Sequence, residues 1–290
     1  MLTPGTQKWW DAFRLMRLPF SIFLMPVYWF ALINIEVDAT RAVIVFVTLH
    51  LFVFPASNAY NSYFDRDEQS IGGLKKPPKV TKELWYLILI SDFLSILSAT
   101  MAGFAFAIMV FIYLMVSKAY SYEKIRLKRF PVTGAITVMF FQGWWTYIMI
   151  QAGASASLLF FRENLLMAIV SSLFLLGSYP ITQIYQHEED RKNGVHSLSM
   201  LLGITGTFIF SSIAFIIASI LLIYIFVSAG FIKFAMIYIS AMIPVNIYFL
   251  KWYSDYKKGY PVITFERTMR LNALSSLLLS AAFISMLLFK

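Results

Sequence analysis

Two polar segments interrupt a strongly apolar sequence, and the first carries oxygen-bearing side chains at helical spacing. Residues three and four positions apart share one face of a helix. In the first segment that face consists of Asn58, Asn61, Asp65, Glu68 and Gln69. Asp67 lies about 200° around the helix from Asp65 and is predicted to point elsewhere. Because hard cations such as Mg²⁺ prefer carboxylate and amide oxygens, this face predicts a cation site.

The second polar segment repeats the pattern at the end of a later apolar stretch. Its face consists of Tyr179, Gln183, Gln186 and Asp190, with Glu189 at the edge. Ionisable groups so close to hydrocarbon are costly and usually face a cavity or a partner. We therefore expect the two segments to face one cavity, where one or two carboxylates bind Mg²⁺ and phosphate and water complete its coordination.

A basic loop at residues 117–131 lies between two further apolar stretches. Four of its five cations, Lys124, Arg126, Lys128 and Arg129, could meet a diphosphate. Arg binds phosphate by bidentate hydrogen bonds, and Lys binds it as a point charge. Two carboxylate segments, a basic loop and a lipid-buried cavity together predict a substrate that joins a diphosphate to an apolar chain.

The elements that position these groups must be membrane helices. The chain has 290 residues, of which 59% are hydrophobic and 13% charged, whereas soluble domains carry about 25% charged residues. This composition excludes a soluble enzyme, a disordered chain and a repeat solenoid. With no cysteine, disulfides and thiolate metal sites are excluded too. The net charge of +9 indicates positive loops at anionic lipid head groups, with no nucleic-acid partner.

The hydropathy pattern predicts an all-α polytopic membrane protein, with nine transmembrane helices around a central cavity in one domain over residues 1–290. The predicted spans are 18–35, 42–62, 83–103, 104–121, 131–151, 164–186, 203–228, 232–251 and 270–289. Twenty Lys and Arg residues fall on the side of the N-terminus and four on the other side. Positive loops face the cytoplasm, so the N-terminus is predicted to be cytoplasmic. No cleaved signal peptide is expected.

At this point the sequence resembles the UbiA superfamily of intramembrane prenyltransferases, typified by 4-hydroxybenzoate polyprenyltransferase, over nearly the whole chain. The family motif N-x-x-x-D-x-x-x-D falls on Asn61, Asp65 and Gln69, with Arg66 after the first Asp. The motif D-x-x-x-D followed by Gly falls on Gln186, Asp190 and Gly194. A Y-x-x-x-K element falls on Tyr120 and Lys124, and the Arg at the start of the first helix falls on Arg17.

This resemblance implies Mg²⁺-dependent transfer of a prenyl group from an isoprenoid diphosphate to a hydrophobic, aromatic or lipid-like acceptor. The implied catalytic residues are Asp65, Asp190 and Lys124. The implied diphosphate-binding residues are Arg17, Arg66, Tyr120 and Lys124, and the basic loop adds Arg126 and Lys128 as candidates. The implied metal ligands are Asn61, Asp65, Gln69, Gln186 and Asp190, and the helical faces add Glu68 and Glu189. A plasma membrane of a bacterium is the expected location, since no organellar targeting segment is seen.

Two departures from the family pattern leave alternatives open. Gln69 and Gln186 stand where the family has Asp, and a neutral amide offers one carbonyl oxygen without a compensating charge. Glu68 and Glu189 are the nearest replacements. A diverged, inactive homologue is therefore one alternative. A transporter of a small polar or anionic solute is another, although its polar groups are expected near mid-membrane on broken helices rather than at helix ends.

Overall fold

The computed structural model describes residues 3–155 and 162–290, and within them the chain is helical. The first half contains α1 (Pro4–Leu15), α2 (Leu18–Ser21), α3 (Met25–Leu32), α4 (Ala39–Val47), α5 (Phe54–Asp65), α6 (Lys82–Ala102) and α7 (Phe104–Ser121). The second half contains α8 (Pro131–Val138), α9 (Thr146–Ala154), α10 (Arg162–Gln183), α11 (His187–Lys192), α12 (Leu198–Ser228), α13 (Ile232–Lys257) and α14 (Phe265–Leu288). The predicted all-α membrane fold is confirmed.

Eight helical segments within the described residues are long and apolar enough to cross a membrane. They are Pro4–Leu32, Ala39–Asp65, Lys82–Ala102, Phe104–Ser121, Arg162–Gln183, Leu198–Ser228, Ile232–Lys257 and Phe265–Leu288. The predicted span at 131–151 is helical as well, over α8, α9 and the π-helix Met139–Trp145 between them. It lies outside the eight, so the count of nine spans stays a prediction, as do the single domain and the cytoplasmic N-terminus.

Breaks between helices fall where the backbone leaves the right-handed region. Gly103 has φ 134° and separates α6 from α7, as its lack of a Cβ allows. Arg66 has φ 53° and ends α5 at Asp65. Arg17 has φ 52° and separates α1 from α2. The last two breaks occur beside candidate site residues and decide which side chains reach the cavity.

Close helix packing holds the second half of the bundle together. The helix α10 packs against α12 and against the π-helix Met139–Trp145. A Cβ on Gly143 would lie 2.5 Å from the Cα of Ser172, so only glycine permits this approach. Small residues let membrane helices come this close and gain van der Waals contact. The tight contact fixes α10, whose end carries the second polar segment.

Candidate functional site

The bundle encloses a cavity of about 390 Å³ that both polar segments line. Its charged lining residues are Arg17, Asp65, Asp67, Lys128, Glu189 and Asp190. Elsewhere the wall is largely apolar and aromatic, with Phe30, Phe54, Phe141 and Phe283 among its residues. A cavity with charged groups from several elements and an apolar remainder suits an amphiphilic ligand. The expectation that both segments face one cavity is confirmed.

Asn61 and Arg17 form the part of the site between α5 and the start of the first membrane segment. Arg17 is buried, with 7% of the residue exposed, and its guanidinium makes the hydrogen bonds. It donates to the backbone oxygen of Asn58 at 3.0 Å and lies 3.4 Å from Oδ1 of Asn61. Asn61 in turn donates from Nδ2 to Ser121 Oγ at 2.9 Å. These bonds orient Asn61, while Nε of Arg17 is buried without a hydrogen-bond partner among the described residues.

Asp65 is the last residue of α5 and pairs with two cations of the basic loop. Its side chain is 6% exposed. Lys128 Nζ donates to one carboxylate oxygen, and Arg126 lies 3.3 Å from the other. The short 3₁₀ helix Leu127–Arg129, which follows Arg126 at φ 45°, directs Lys128 inward. A basic group and a carboxylate from separate elements therefore meet at the cavity wall.

Asp67 lines the cavity, so the prediction that it points away was wrong. That prediction extended α5 past Asp65, whereas the left-handed backbone at Arg66 ends the helix and redirects the chain. Asn193 donates from Nδ2 to Asp67 Oδ1 at 3.1 Å. Burial, reinforced by the nearby Asp65, raises the pKa of Asp67 to about 6. Desolvation and a like charge both disfavour an ionised carboxylate.

The second polar segment is divided between two helices rather than forming one continuous face. The helix α10 ends at Gln183, and Glu189 and Asp190 lie on the separate short helix α11. Gln186, between the two helices, also lines the cavity. Burial raises the pKa of Asp190 to about 7, and the neighbouring Asp67 and Asp65 add to the shift.

Two hydrogen bonds tie the second segment to the loop after α5. The amide of Gln186 donates to the backbone oxygen of Ser70 at 3.1 Å. The carboxylate of Glu189 accepts from the backbone N–H of Glu68 at 3.1 Å. Gln69 lies beside this junction and lines a smaller cavity together with Gln186 and Glu189. The two polar segments are therefore in direct contact, and Gln186 holds the loop after α5 by its hydrogen bond to Ser70.

The remaining predicted site residues divide into two groups. Tyr120 lines the cavity, and its hydroxyl lies 2.7 Å from that of Tyr179. Lys124, Arg66 and Glu68 have exposed side chains and lie outside the described lining of the main cavity. For these three residues the roles implied by the resemblance stay predictions. Asn193, which donates a hydrogen bond to Asp67, was missed by sequence reasoning because it occupies an unspecified position between Asp190 and Gly194 of the second motif.

The donor set of the cavity fits Mg²⁺. Among the described residues, no group of three or more His or carboxylate side chains is compact enough to hold a metal ion unaided. Mg²⁺ does not need such a group, since it usually takes one or two carboxylates and completes its coordination with phosphate and water. The raised pKa values of Asp67 and Asp190 indicate carboxylates that lack full charge compensation. A divalent cation would supply that compensation.

Comparisons with known proteins agree with this architecture. A sequence model of the UbiA prenyltransferase family matches residues 23–274. A UbiA homolog from Archaeoglobus fulgidus, bound to GPP and Mg²⁺, superposes with a TM-score of 0.69 at 18% identity, covering 95% of this chain and 99% of that one. An apo UbiA homolog from Aeropyrum pernix K1 gives 0.70 at 19% identity, with coverages of 92% and 98%. A structure of digeranylgeranylglyceryl phosphate synthase superposes with a TM-score of 0.61 at 19% sequence identity, and 98% of each chain is covered. No curated protein matches the sequence.

Proposed function

Because this chain belongs to the UbiA prenyltransferase family, we propose that its cavity binds an isoprenoid diphosphate with Mg²⁺ and transfers the prenyl group to an aromatic acceptor. The observation that carries this proposal is the meeting of four carboxylates and two cations in one cavity with a largely apolar remainder. The protein is an integral multi-pass membrane protein. Its placement in a bacterial plasma membrane is part of the proposal.

The residues that line the cavity take the roles in this proposal. Asp65, Asp190 and Asn61 are the expected Mg²⁺ ligands, and Asp67 and Glu189 stand beside them. Asp67 and Glu189 thus supply the negative charge that Gln69 and Gln186 lack. The family motifs have Asp at those two positions, so here the acidic groups are displaced by a few residues along each segment.

Two basic groups are positioned to receive the diphosphate. Lys128 is held at the wall by Asp65, and Arg17 keeps its Nε free of partners among the described residues. Each can donate to phosphate oxygen, Arg17 by a fork of N–H groups and Lys128 as a point charge. Arg126, at the other oxygen of Asp65, adds positive charge behind them. The proposed roles of Lys124 and Arg66 require these exposed side chains to turn inward.

The proposed chemistry breaks the bond between the allylic carbon and the diphosphate oxygen. The electron pair of that bond leaves with pyrophosphate, whose negative charge Lys128 and Arg17 stabilise. When bound, Mg²⁺ would supply Lewis-acid stabilisation of the same charge. The apolar wall excludes water, and its aromatic rings favour a cationic allyl group. A ring carbon of the acceptor forms the new bond, and the acceptor loses one proton.

The test uses purified protein with Mg²⁺, geranyl diphosphate and a panel of electron-rich aromatic acceptors, with products identified by mass spectrometry. Asp65→Asn and Asp190→Asn are each expected to slow transfer by about 10²-fold, which corresponds to roughly 2.7 kcal/mol of transition-state stabilisation. Glu188→Gln is the matched control, because its carboxylate is exposed and pairs with Lys192. Unchanged transfer in both Asp variants would remove these residues from the chemistry.

A further inference from the structure

Two asparagines on the last two membrane helices line the main cavity. Asn246 lies on α13, about 16 Å before the end of that helix at Lys257. Asn272 lies on α14, about 10 Å after its start at Phe265. The two helices are antiparallel neighbours in the bundle. Both helices therefore place a carboxamide on the wall of the main cavity.

Neither carboxamide has a hydrogen-bond partner in the described part of the chain, although each offers one acceptor oxygen and two N–H donors. Other polar side chains nearby are satisfied within their own helix or by a neighbour. Ser275 donates to the backbone oxygen of Asn272, and Ser276 donates to that of Ile22. An amide left unpaired on a largely apolar cavity wall is unfavourable. These two amides are therefore available to a polar group of a bound molecule.

This wall of the cavity carries no charged side chain among the described lining residues. The cationic lining residues are Arg17 and Lys128. Lys128 pairs with Asp65, and Arg17 donates to Asn58 and Asn61. A carboxylate at the asparagine wall would lose its hydration without meeting a cation, which is costly. A hydroxyl or carbonyl would instead complete the hydrogen bonds of the amides.

The exposure of Asn246 indicates how such a molecule enters. Asn246 is exposed and also lines the cavity. Its helix neighbours Ile243 and Ile247 are 53% and 63% exposed, as lipid-facing residues of a membrane helix are. Asn246 thus lies where the cavity opens toward the bilayer. A molecule dissolved in the membrane reaches it without crossing the charged end of the cavity.

We propose that Asn246 and Asn272 bind the prenyl acceptor through an uncharged hydroxyl or carbonyl group, so that the acceptor is a neutral, membrane-dissolved molecule rather than a carboxylate. This inference rests on the proposed prenyl transfer and narrows its acceptor class. It places the acceptor on the wall formed by α13 and α14. The diphosphate occupies the charged end formed by α5, α11 and the basic loop.

The experiment compares two probes of equal size, 4-hydroxybenzyl alcohol and 4-hydroxybenzoate, by calorimetry with purified protein in detergent at neutral pH. Mg²⁺ and inorganic pyrophosphate replace the prenyl donor, so that no transfer reaction contributes heat. The wild-type protein is expected to bind the alcohol at least about tenfold more tightly. Asn246→Leu and Asn272→Leu should each raise the Kd of the alcohol about tenfold, or roughly 1.4 kcal/mol. Ser280→Ala is the control, because Ser280 is a buried polar residue of α14 outside the described lining of the cavity. This substitution should leave the Kd of the alcohol unchanged.

Equal or tighter binding of 4-hydroxybenzoate, absence of binding by both probes, or unchanged Kd values in both Asn variants would overturn the proposal. The comparison of the two probes on wild-type protein stands even if a variant fails to fold. Pyrophosphate release from geranyl diphosphate with Mg²⁺ and the panel of aromatic acceptors is measured in parallel. Its absence would count against prenyl transfer itself, whereas its presence with the wrong acceptor preference would count against the asparagine site alone.

Discussion

Gln69 and Gln186 show how the same replacement has different consequences at two positions. Gln186 lines the main cavity and uses its amide nitrogen to tether the loop at Ser70. Gln69 is exposed and lines the smaller cavity beside that junction. In the sequence the two residues look equivalent, because each replaces a metal-binding Asp in one of the two family motifs. Their surroundings make Gln186 the position where a carboxylate would reach a bound cation.

We therefore predict different results for the two reversions to Asp. Gln186→Asp should lower the Mg²⁺ concentration required for half-maximal rate several-fold, because it adds a charged oxygen donor to the cavity. Gln69→Asp should change that requirement by less than about twofold, since its side chain lies outside the main cavity. Mg²⁺ titrations of pyrophosphate release measure both. A larger effect from Gln69→Asp than from Gln186→Asp would contradict this placement of the ligands.

The two carboxyls with raised pKa predict a pH dependence of cation binding. Metal ligands must be deprotonated, so protons compete with the cation. Burial raises the pKa of Asp190 to about 7 and that of Asp67 to about 6. Below these values the carboxyls are protonated and bind metal weakly, so the affinity should rise as the pH increases from about 5.5 to about 8. Mn²⁺ titrations at several pH values measure how steeply the affinity changes with pH.

Two variants separate the contributions to that slope. Asp190→Asn should remove most of the increase in Mn²⁺ affinity between pH 6 and 8. Asp67→Asn should remove most of the increase in Mn²⁺ affinity at lower pH. Glu188→Gln is the control, because Glu188 is exposed. A flat affinity in the wild-type protein across this range would show that the charge of neither carboxyl supports cation binding.

At the scale of elements, backbone breaks decide which residues reach the cavity. The spacing of Asn58, Asn61 and Asp65 predicts their shared face correctly, because α5 is helical over all three. The helical spacing does not predict the position of Asp67, because the helix ends at Arg66. Arg66 has a left-handed backbone conformation, which arginine rarely adopts and which the sequence does not reveal. The break at Gly103 was predictable, because glycine is the residue that tolerates such a backbone.

The approach of α10 to the π-helix Met139–Trp145 predicts that Gly143 has little tolerance for a larger residue. A Cβ there would meet the backbone of Ser172 at 2.5 Å, and backbone cannot move aside as a flexible side chain can. Gly143→Ala should destabilise the protein by about 1–3 kcal/mol through overpacking. Thermal unfolding in detergent measures the change.

Gly206→Ala is the matched control on another membrane helix. Its added Cβ would lie 3.4 Å from Leu202, an ordinary contact, and alanine has the higher helix propensity. The control should keep or slightly raise the unfolding temperature. Equal destabilisation by the two substitutions would show that the close approach at Gly143 is unimportant.

At the scale of the molecule, the distribution of charge predicts the orientation in the membrane. Lys and Arg are concentrated on the side of the N-terminus, which is therefore predicted to be cytoplasmic. The absence of cysteine in the native sequence allows single cysteines to report each side. Lys258→Cys, after α13, should react with a membrane-impermeant maleimide from the cytoplasmic side. Ala229→Cys, in the turn before α13, should react from the opposite side, and the reverse pattern would contradict the predicted orientation.

The sequence predicts the membrane class, the main helices and the convergence of two acidic segments, because hydropathy and helical period act over many residues. It predicts less about the detailed site. Lys124 matches a family motif yet is exposed, and Asp67 was assigned to the wrong face. The span at 131–151 is helical but its hydropathy is diluted by polar residues such as Gln142 and Gln151. Such details depend on backbone breaks and tertiary contacts.

The proposed function requires one cavity to hold a diphosphate through divalent cations bound by Asp65 and Asp190. This arrangement can be tested by electron paramagnetic resonance of Mn²⁺-substituted protein with geranyl diphosphate. We predict a hyperfine coupling between Mn²⁺ and the phosphorus of the bound diphosphate in the wild-type protein, and its loss in Asp190→Asn and Asp65→Asn. A protein-bound Mn²⁺ signal that shows no phosphorus coupling, or a coupling that both variants retain, would contradict the account.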